Sequence, residues 1–206
     1  MIDVYCVKVG DKYDRSFVEK LKDGVSKHLK TKHNFHCVTD KPEKEYDQPI
    51  QYPYLKGVWH KLSLFEKVGK NLYFDLDIEI NGDIDFLVWN HEDFKKLHVI
   101  DSTNWVSNSM GQSEMKFATR NNTFINSSVM RWEDSYSIFE KFMEKRDLYL
   151  RLYEGIDRFI YNERERLGLK YKTFTTNKIS SWQEDVTKNT IMIYNGKYND
   201  IRPENN

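Results

Sequence analysis

Leu72-Tyr73-Phe74-Asp75-Leu76-Asp77 decides the reading of this chain: a short apolar run opens directly onto two carboxylates one residue apart. A continuous apolar run of this kind is the pattern of a strand buried on both faces, as in parallel sheets. In open α/β sheets ligands bind outside the carboxyl ends of the strands, which is where Asp75 and Asp77 would stand. Two carboxylates there can converge on one hard divalent cation, Mn²⁺ or Mg²⁺, whose remaining oxygen ligands usually include substrate phosphates. On the residues alone the pair reads equally well as two solvated carboxylates at a strand end. A second D-x-D, Asp83-Ile84-Asp85, follows Asn81-Gly82 instead of an apolar run and reads as a turn with a helix cap.

Upstream, Ile2 to Val9 alternates as a strand that Gly10-Asp11 breaks. Ser16 with Glu19 three residues later matches a capping box, and Phe17, Val18, Leu21, Val25 and Leu29 then share one helical face. Lys20, Lys22, Lys27 and Lys30 form its solvated face. A second strand runs from Phe35 to Thr39. Strand, helix, strand at this spacing is a βαβ unit, so the expected class is α/β, a mostly parallel central sheet with helices on both faces. Residues 40–56 read as a loop with one extended piece at 50–52, and a helix is expected from Trp59 to near Gly69. Downstream, His98-Val99-Ile100, Phe124-Ile125 and Ile191-Met192-Ile193-Tyr194 are strand candidates. Helices are expected over 135–152 and 156–167, a mobile polar loop over 104–122 and a fraying tail over 198–206.

The composition excludes several classes. Lys+Arg and Asp+Glu both number 32, so the formal charge is zero, which argues against attachment to nucleic acid or anionic membrane by bulk charge. Aromatic residues make up 15% of the chain, so rings must supply much of the core. No apolar run approaches the roughly 20 residues of a membrane-spanning helix, and Met1-Ile2-Asp3-Val4-Tyr5 has no basic leader ahead of an apolar stretch. Cys6 and Cys37 lie in apolar stretches without a metal-type cluster, which predicts buried, reduced thiols and a cytoplasmic setting.

A longer pattern gives these features a direction. Val7-Lys8-Val9-Gly10-Asp11-Lys12-Tyr13, Val38-Thr39-Asp40, Gly57-Val58-Trp59-His60-Lys61-Leu62-Ser63-Leu64-Phe65 and the strand ending in Asp75 and Asp77 follow one another in order. Phe124-Ile125-Asn126-Ser127-Ser128-Val129-Met130-Arg131-Trp132, Gly155-Ile156-Asp157-Arg158 and Ile191-Met192-Ile193-Tyr194-Asn195-Gly196-Lys197 complete the series. The series resembles the nucleotide-sugar glycosyltransferases of GT-A fold, closest to family 8, the glycogenin-like and lipopolysaccharide-transferase group with its small bacterial and viral relatives. The resemblance spans residues 2–198 and so implies a single GT-A domain over 1–206.

It implies a metal-dependent transfer from a nucleotide-sugar donor, a UDP-sugar, to a glycan or other hydroxyl acceptor, with retention at the sugar carbon. In that pattern Val7, Asp11 and Tyr13 line the base and ribose pocket, with Asp40 beside the base. Lys61 faces the phosphate or sugar side of the donor, and Gly196 and Lys197 close on the diphosphate. Asp75, Asp77 and Asn195 hold the metal, with Asp75 also near the donor hydroxyls, while Asn126 and Asp157 lie by the transferred sugar and the acceptor.

The departures carry expectations of their own. Asn195 stands where the family has a histidine ligand, and an amide oxygen is a weaker donor to Mn²⁺ than imidazole, so lower metal affinity and less preference for Mn²⁺ over Mg²⁺ are expected. Gly155-Ile156-Asp157-Arg158 replaces the family's Gly-Asp-Gln, and Ser181-Trp182-Gln183 its Ser-Tyr-Lys. Two other classes compete: a nucleotidyltransferase, which would carry a Gly-rich basic loop that residues 7–13 lack, and a non-catalytic nucleotide-sugar or glycan-binding module.

Overall fold

In the computed structural model residues 1–88, 96–103, 105, 124–133, 137–174, 177–181 and 189–194 are described. The expected βαβ unit is present. β1 (Ile2–Lys8) and β2 (His33–Thr39) pair in parallel from Ile2 opposite His33 to Lys8 opposite Thr39, with α1 (Arg15–His28) crossing between them. α1 buries Phe17, Val18, Leu21 and Val25 against Val4, Cys6, Leu72 and Phe74 of the sheet. Its cap differs from the expected box. Asp14 accepts from the Ser16 N–H at 2.8 Å and from the Ser16 hydroxyl, while Glu19 accepts from the Tyr46 hydroxyl. An ionised carboxylate one position ahead of the helix is the better acceptor, so Asp14 takes the capping role from Ser16.

β3 (Asp47–Pro49), β4 (Lys70–Phe74), β6 (Leu97–Asp101), β7 (Ile125–Glu133) and β8 (Tyr171–Thr173) complete a seven-stranded sheet in the order β3-β2-β1-β4-β7-β6-β8. Neighbours pair in parallel except around β7, which runs antiparallel to both β4 and β6. A second sheet orders β5 (Ile78–Ile80), β10 (Ile191–Ile193) and β9 (Ile179–Ser181) as β5-β10-β9. The extended piece expected at 50–52 lies earlier, at β3, where Arg15 holds the Asp47 carboxylate through two nitrogens at 2.6 and 2.8 Å.

Two expected helices took other forms. Gly57–Glu66 is a 3-10 helix, unusually long for its kind. Trp59, Leu62 and Phe65 recur every third residue, which suits the 3-10 period as well as the α period, and all three are buried beside Trp132, Phe142 and Phe159. The helix expected over 135–152 breaks at Lys145 into α2 (Ile138–Glu144) and α3 (Arg146–Leu152). In a continuous helix Phe142 and Tyr149 would be separated by about 10 Å along the axis; the break stacks their rings at 6.1 Å. α4 (Ile156–Glu163) follows and buries Ile156, Phe159 and Ile160 in the same cluster.

Among the described residues no helix is long and apolar enough to cross a membrane. Cys6 and Cys37 are register partners on β1 and β2, both buried and both free thiols. The loop expected over 104–122, apart from Trp105, and the tail over 198–206 lie outside the described residues.

Candidate active site

The sheet places Asp75 just past the end of β4, next to β1, and the reversed β7 turns its first residues towards the same end. Phe74 stands opposite Val129, and the Asp75 N–H donates to the Ser128 carbonyl at 2.8 Å. Asn126 and Ser128 therefore arrive beside Asp75 from a strand travelling the other way. The start of the 3-10 helix closes one side with Gly57, Val58 and Lys61, and the first turn of α4 adds Asp157. Together they enclose a cleft of about 390 Å³ that also has Val7, Lys8, Val9, Lys12, Tyr13, Tyr73 and Asp77 in its wall. That is within the range of small-ligand sites.

Each acidic group has a distinct environment. Both oxygens of Asp75 meet the Lys61 ammonium, Oδ1 at 2.7 Å and Oδ2 at 2.8 Å, and Oδ1 also accepts from the Tyr73 hydroxyl at 2.5 Å. Asp77 is 7% exposed and accepts from the Tyr13 hydroxyl at 3.3 Å. Burial pushes both phenols up, and the neighbouring aspartates push them further, so Tyr73 and Tyr13 remain protonated donors. Asp157 accepts from the Ser127 N–H at 3.0 Å. Although it opens partly to the cleft, burial raises its carboxyl, against the opposing pull of Lys61 and the Ser127 donors. Asn126 Oδ1 accepts from the Ser128 N–H at 2.8 Å, which fixes the amide and turns its nitrogen into the available donor.

Of the residues singled out in the sequence, Val7, Tyr13, Lys61, Asp75, Asp77, Asn126 and Asp157 meet in this cleft. Asp11 and Asp40 do not line it. Asp11 is exposed and paired with Lys41 at 2.9 Å, a contact that holds its carboxyl below the usual range. Asp40 accepts from the N–H of Gly10, whose φ of 72° is the left-handed conformation a glycine takes most easily. Asn195, Gly196 and Lys197 lie outside the described residues; the residue before them, Tyr194, donates its N–H to the Asp77 carbonyl at 3.0 Å. Lys61, expected on the phosphate or sugar side of a donor, is bound to one member of the acidic pair. Sequence reasoning passed over Lys8, Lys12, Tyr73 and Ser128. Tyr73 had a legible signal, since residues two apart on an extended chain share a face.

Asp83 and Asp85 lie elsewhere, in a turn as expected, but the short 3-10 helix that follows (Asp85–Leu87) has no side-chain cap, and both carboxylates instead fasten residues 30–31. Asp85 accepts from the N–H groups of Lys30 and Thr31 and from the Thr31 hydroxyl, and Asp83 pairs with the Lys30 ammonium at 2.6 Å. Among the described residues no group of three His, Cys, Asp or Glu side chains forms a metal centre. The two carboxylates of the cleft supply hard oxygen donors, which fit a divalent cation whose other ligands come from a phosphate-bearing molecule.

No family model and no curated protein matches the sequence. Solved structures do match the fold. The galactosyltransferase LgtC, in complex with donor and acceptor sugar analogs, superposes with a TM-score of 0.62 at 13% identity, covering 93% of this chain and 86% of LgtC. This chain has the GT-A fold. Mouse xyloside xylosyltransferase 1 shares that GT-A architecture with a TM-score of 0.58 at 11% identity, covering 94% of this chain and 98% of the mouse protein. A glycosyltransferase involved in the glycosylation of the major capsid of PBCV-1 gives 0.57 at 13% identity, covering 95% and 93%.

Proposed function

We propose that this chain is a metal-dependent glycosyltransferase that moves a sugar from a nucleoside-diphosphate donor, a UDP-sugar, to a hydroxyl acceptor with retention at the sugar carbon. The observation that carries this reading is the meeting of Asp75, Asp77, Asp157 and Asn126 in one cleft at the strand ends of a GT-A fold. Val7 and Tyr13 form the wall for the base and ribose, and the polar floor receives the diphosphate and sugar. Asp75 and Asp77, completed by Asn195, hold Mn²⁺ or Mg²⁺, which when bound supplies positive charge to the departing diphosphate. Gly196 and Lys197 close over that diphosphate.

The chain's own groups do the positioning. Tyr73 and Tyr13, kept protonated, orient the two carboxylates through their hydroxyls. Asn126, fixed through its oxygen, donates from its amide nitrogen to a sugar hydroxyl, and Asp157, anchored by the Ser127 N–H, accepts from the sugar or the acceptor. As the bond from sugar carbon to phosphate oxygen breaks, the carbon gains oxocarbenium character, the acceptor oxygen forms the new bond to that carbon, and the hydroxyl proton passes to the departing phosphate oxygen. Buried, free Cys6 and Cys37 suit a reducing cytoplasm.

Thermal-shift screening of nucleotide sugars with and without Mn²⁺, followed by a donor-hydrolysis assay, tests the reading. A UDP-sugar with Mn²⁺ should raise Tm by mass action and release sugar slowly to water. Stabilisation without release would make the chain a binding module, and no shift with any donor would remove the reading.

A further inference from the structure

The two carboxylates of the cleft are not equivalent towards a cation. Asp75 already holds one: a single ammonium, Lys61 Nζ, lies within 2.8 Å of both its oxygens, and the Tyr73 hydroxyl takes a further lone pair of Oδ1. The pair is shielded, the Lys61 side chain being 7% exposed and that of Asp75 21%. Lys61 Nζ also lies 5.2 Å from the Tyr73 ring centroid, so three contacts fix the ammonium over the carboxylate. Its backbone cannot retreat, because Trp59, Leu62 and Phe65 on the same 3-10 helix are locked in the core. Asp77 has a neutral phenol, Tyr13, among its donors.

We propose that Lys61 is a resident counter-cation that keeps Asp75 from binding divalent metal until a polyanionic ligand draws the ammonium away. A dication approaching Asp75 meets a unit positive charge, an Oδ1 with two donors already on it and an Oδ2 with one. A diphosphate in the cleft offers the ammonium several negative oxygens within reach of a side-chain rotation. Asp75, released from the ammonium, would then be open to a divalent cation. Metal binding is thereby tied to the presence of the diphosphate. The identity of that polyanion rests on the glycosyltransferase reading; the competition between Lys61 and metal does not.

Mn²⁺ binding followed by electron paramagnetic resonance tests this without turnover. With MnCl2 alone, Lys61→Met should bind Mn²⁺ about tenfold more tightly than the unaltered chain, a change equivalent to about 1.4 kcal/mol. Equal affinities, or no binding to either protein, overturn the proposal. With Lys61 intact and MnCl2 alone, Asp75→Asn should leave the Mn²⁺ affinity nearly unchanged while Asp77→Asn weakens it. Equal losses in the two variants overturn the proposal even if Lys61→Met fails to fold. UDP, corrected against a protein-free blank, should tighten Mn²⁺ binding to the unaltered chain by about tenfold or more. If the variants behave as stated and UDP has no effect, the competition stands and the nucleotide-sugar reading of the cleft falls.

Discussion

The chain contains the same acidic tripeptide pattern twice, Asp75-Leu76-Asp77 and Asp83-Ile84-Asp85, and the fold uses the two copies in opposite ways. Asp85 accepts from two main-chain N–H groups, with the Thr31 hydroxyl beside them, in the turn between α1 and β2, and those N–H groups are fixed once the sheet forms. Asp75 accepts from an ammonium and a phenol, and Asp77 has a second phenol among its donors, all of them side-chain tips that can turn away. A carboxylate bonded to backbone is committed to the fold, whereas one bonded to side-chain ends in a cleft can exchange its partners for a ligand. Asp77 and Asp85 are 7% and 6% exposed, so between these two the difference lies in the donors and not in shielding from water.

Three changes probe that contrast. The largest effect is expected from Asp77→Asn, which keeps the acceptor for Tyr13 but removes a charge from the cation site. Donor hydrolysis with Mn²⁺ should fall by roughly a thousandfold, in line with the several kcal/mol that metal-borne charge stabilisation supplies, while the urea midpoint stays near that of the unaltered chain. Normal turnover would place Asp77 with the structural copy. Next comes Asp85→Ala. It strands the Lys30 and Thr31 N–H groups in a part-buried turn and should cost about 2–3 kcal/mol in urea unfolding, with hydrolysis per folded molecule unchanged.

The smallest effect is a pH dependence at Asp157. Its carboxyl is raised in the folded chain by burial, so the folded state holds its proton to higher pH than the unfolded state does. Stability contributed by this group is full below the ordinary carboxylate pKa and is lost as pH rises through the folded value. Asp157→Asn removes that loss, so its stability relative to the unaltered chain should improve as pH is raised from about 4 towards neutrality. A difference that stays flat across urea titrations at several pH values would show that Asp157 is not held in this way.

The βαβ start and the strand ending in Asp75 were legible because both depend on local period: an apolar stripe on α1 and an unbroken apolar run on β4. The acidic pair stood out for the same reason. Boundaries were less legible where two local solutions compete, as with Asp14 against Ser16 for the cap, or the 3-10 against the α period over Trp59, Leu62 and Phe65. Lys61 was picked out as a cleft residue, yet its bond to Asp75 was invisible, because fourteen residues and a helix-to-strand turn separate the two.

By itself the sequence determined the elements whose hydrophobic period is self-contained, and it put two carboxylates at the end of a buried strand. Only the tertiary structure decided what meets them. The antiparallel entry of β7 brings Asn126 and Ser128 to the Asp75 end of the sheet, and the pairing of β10 with β5 brings Tyr194 to Asp77. Strand direction and register are set by packing between segments far apart in the chain, which no local period encodes. The same packing made one Asp-x-Asp a turn fastener and left the other facing a cleft.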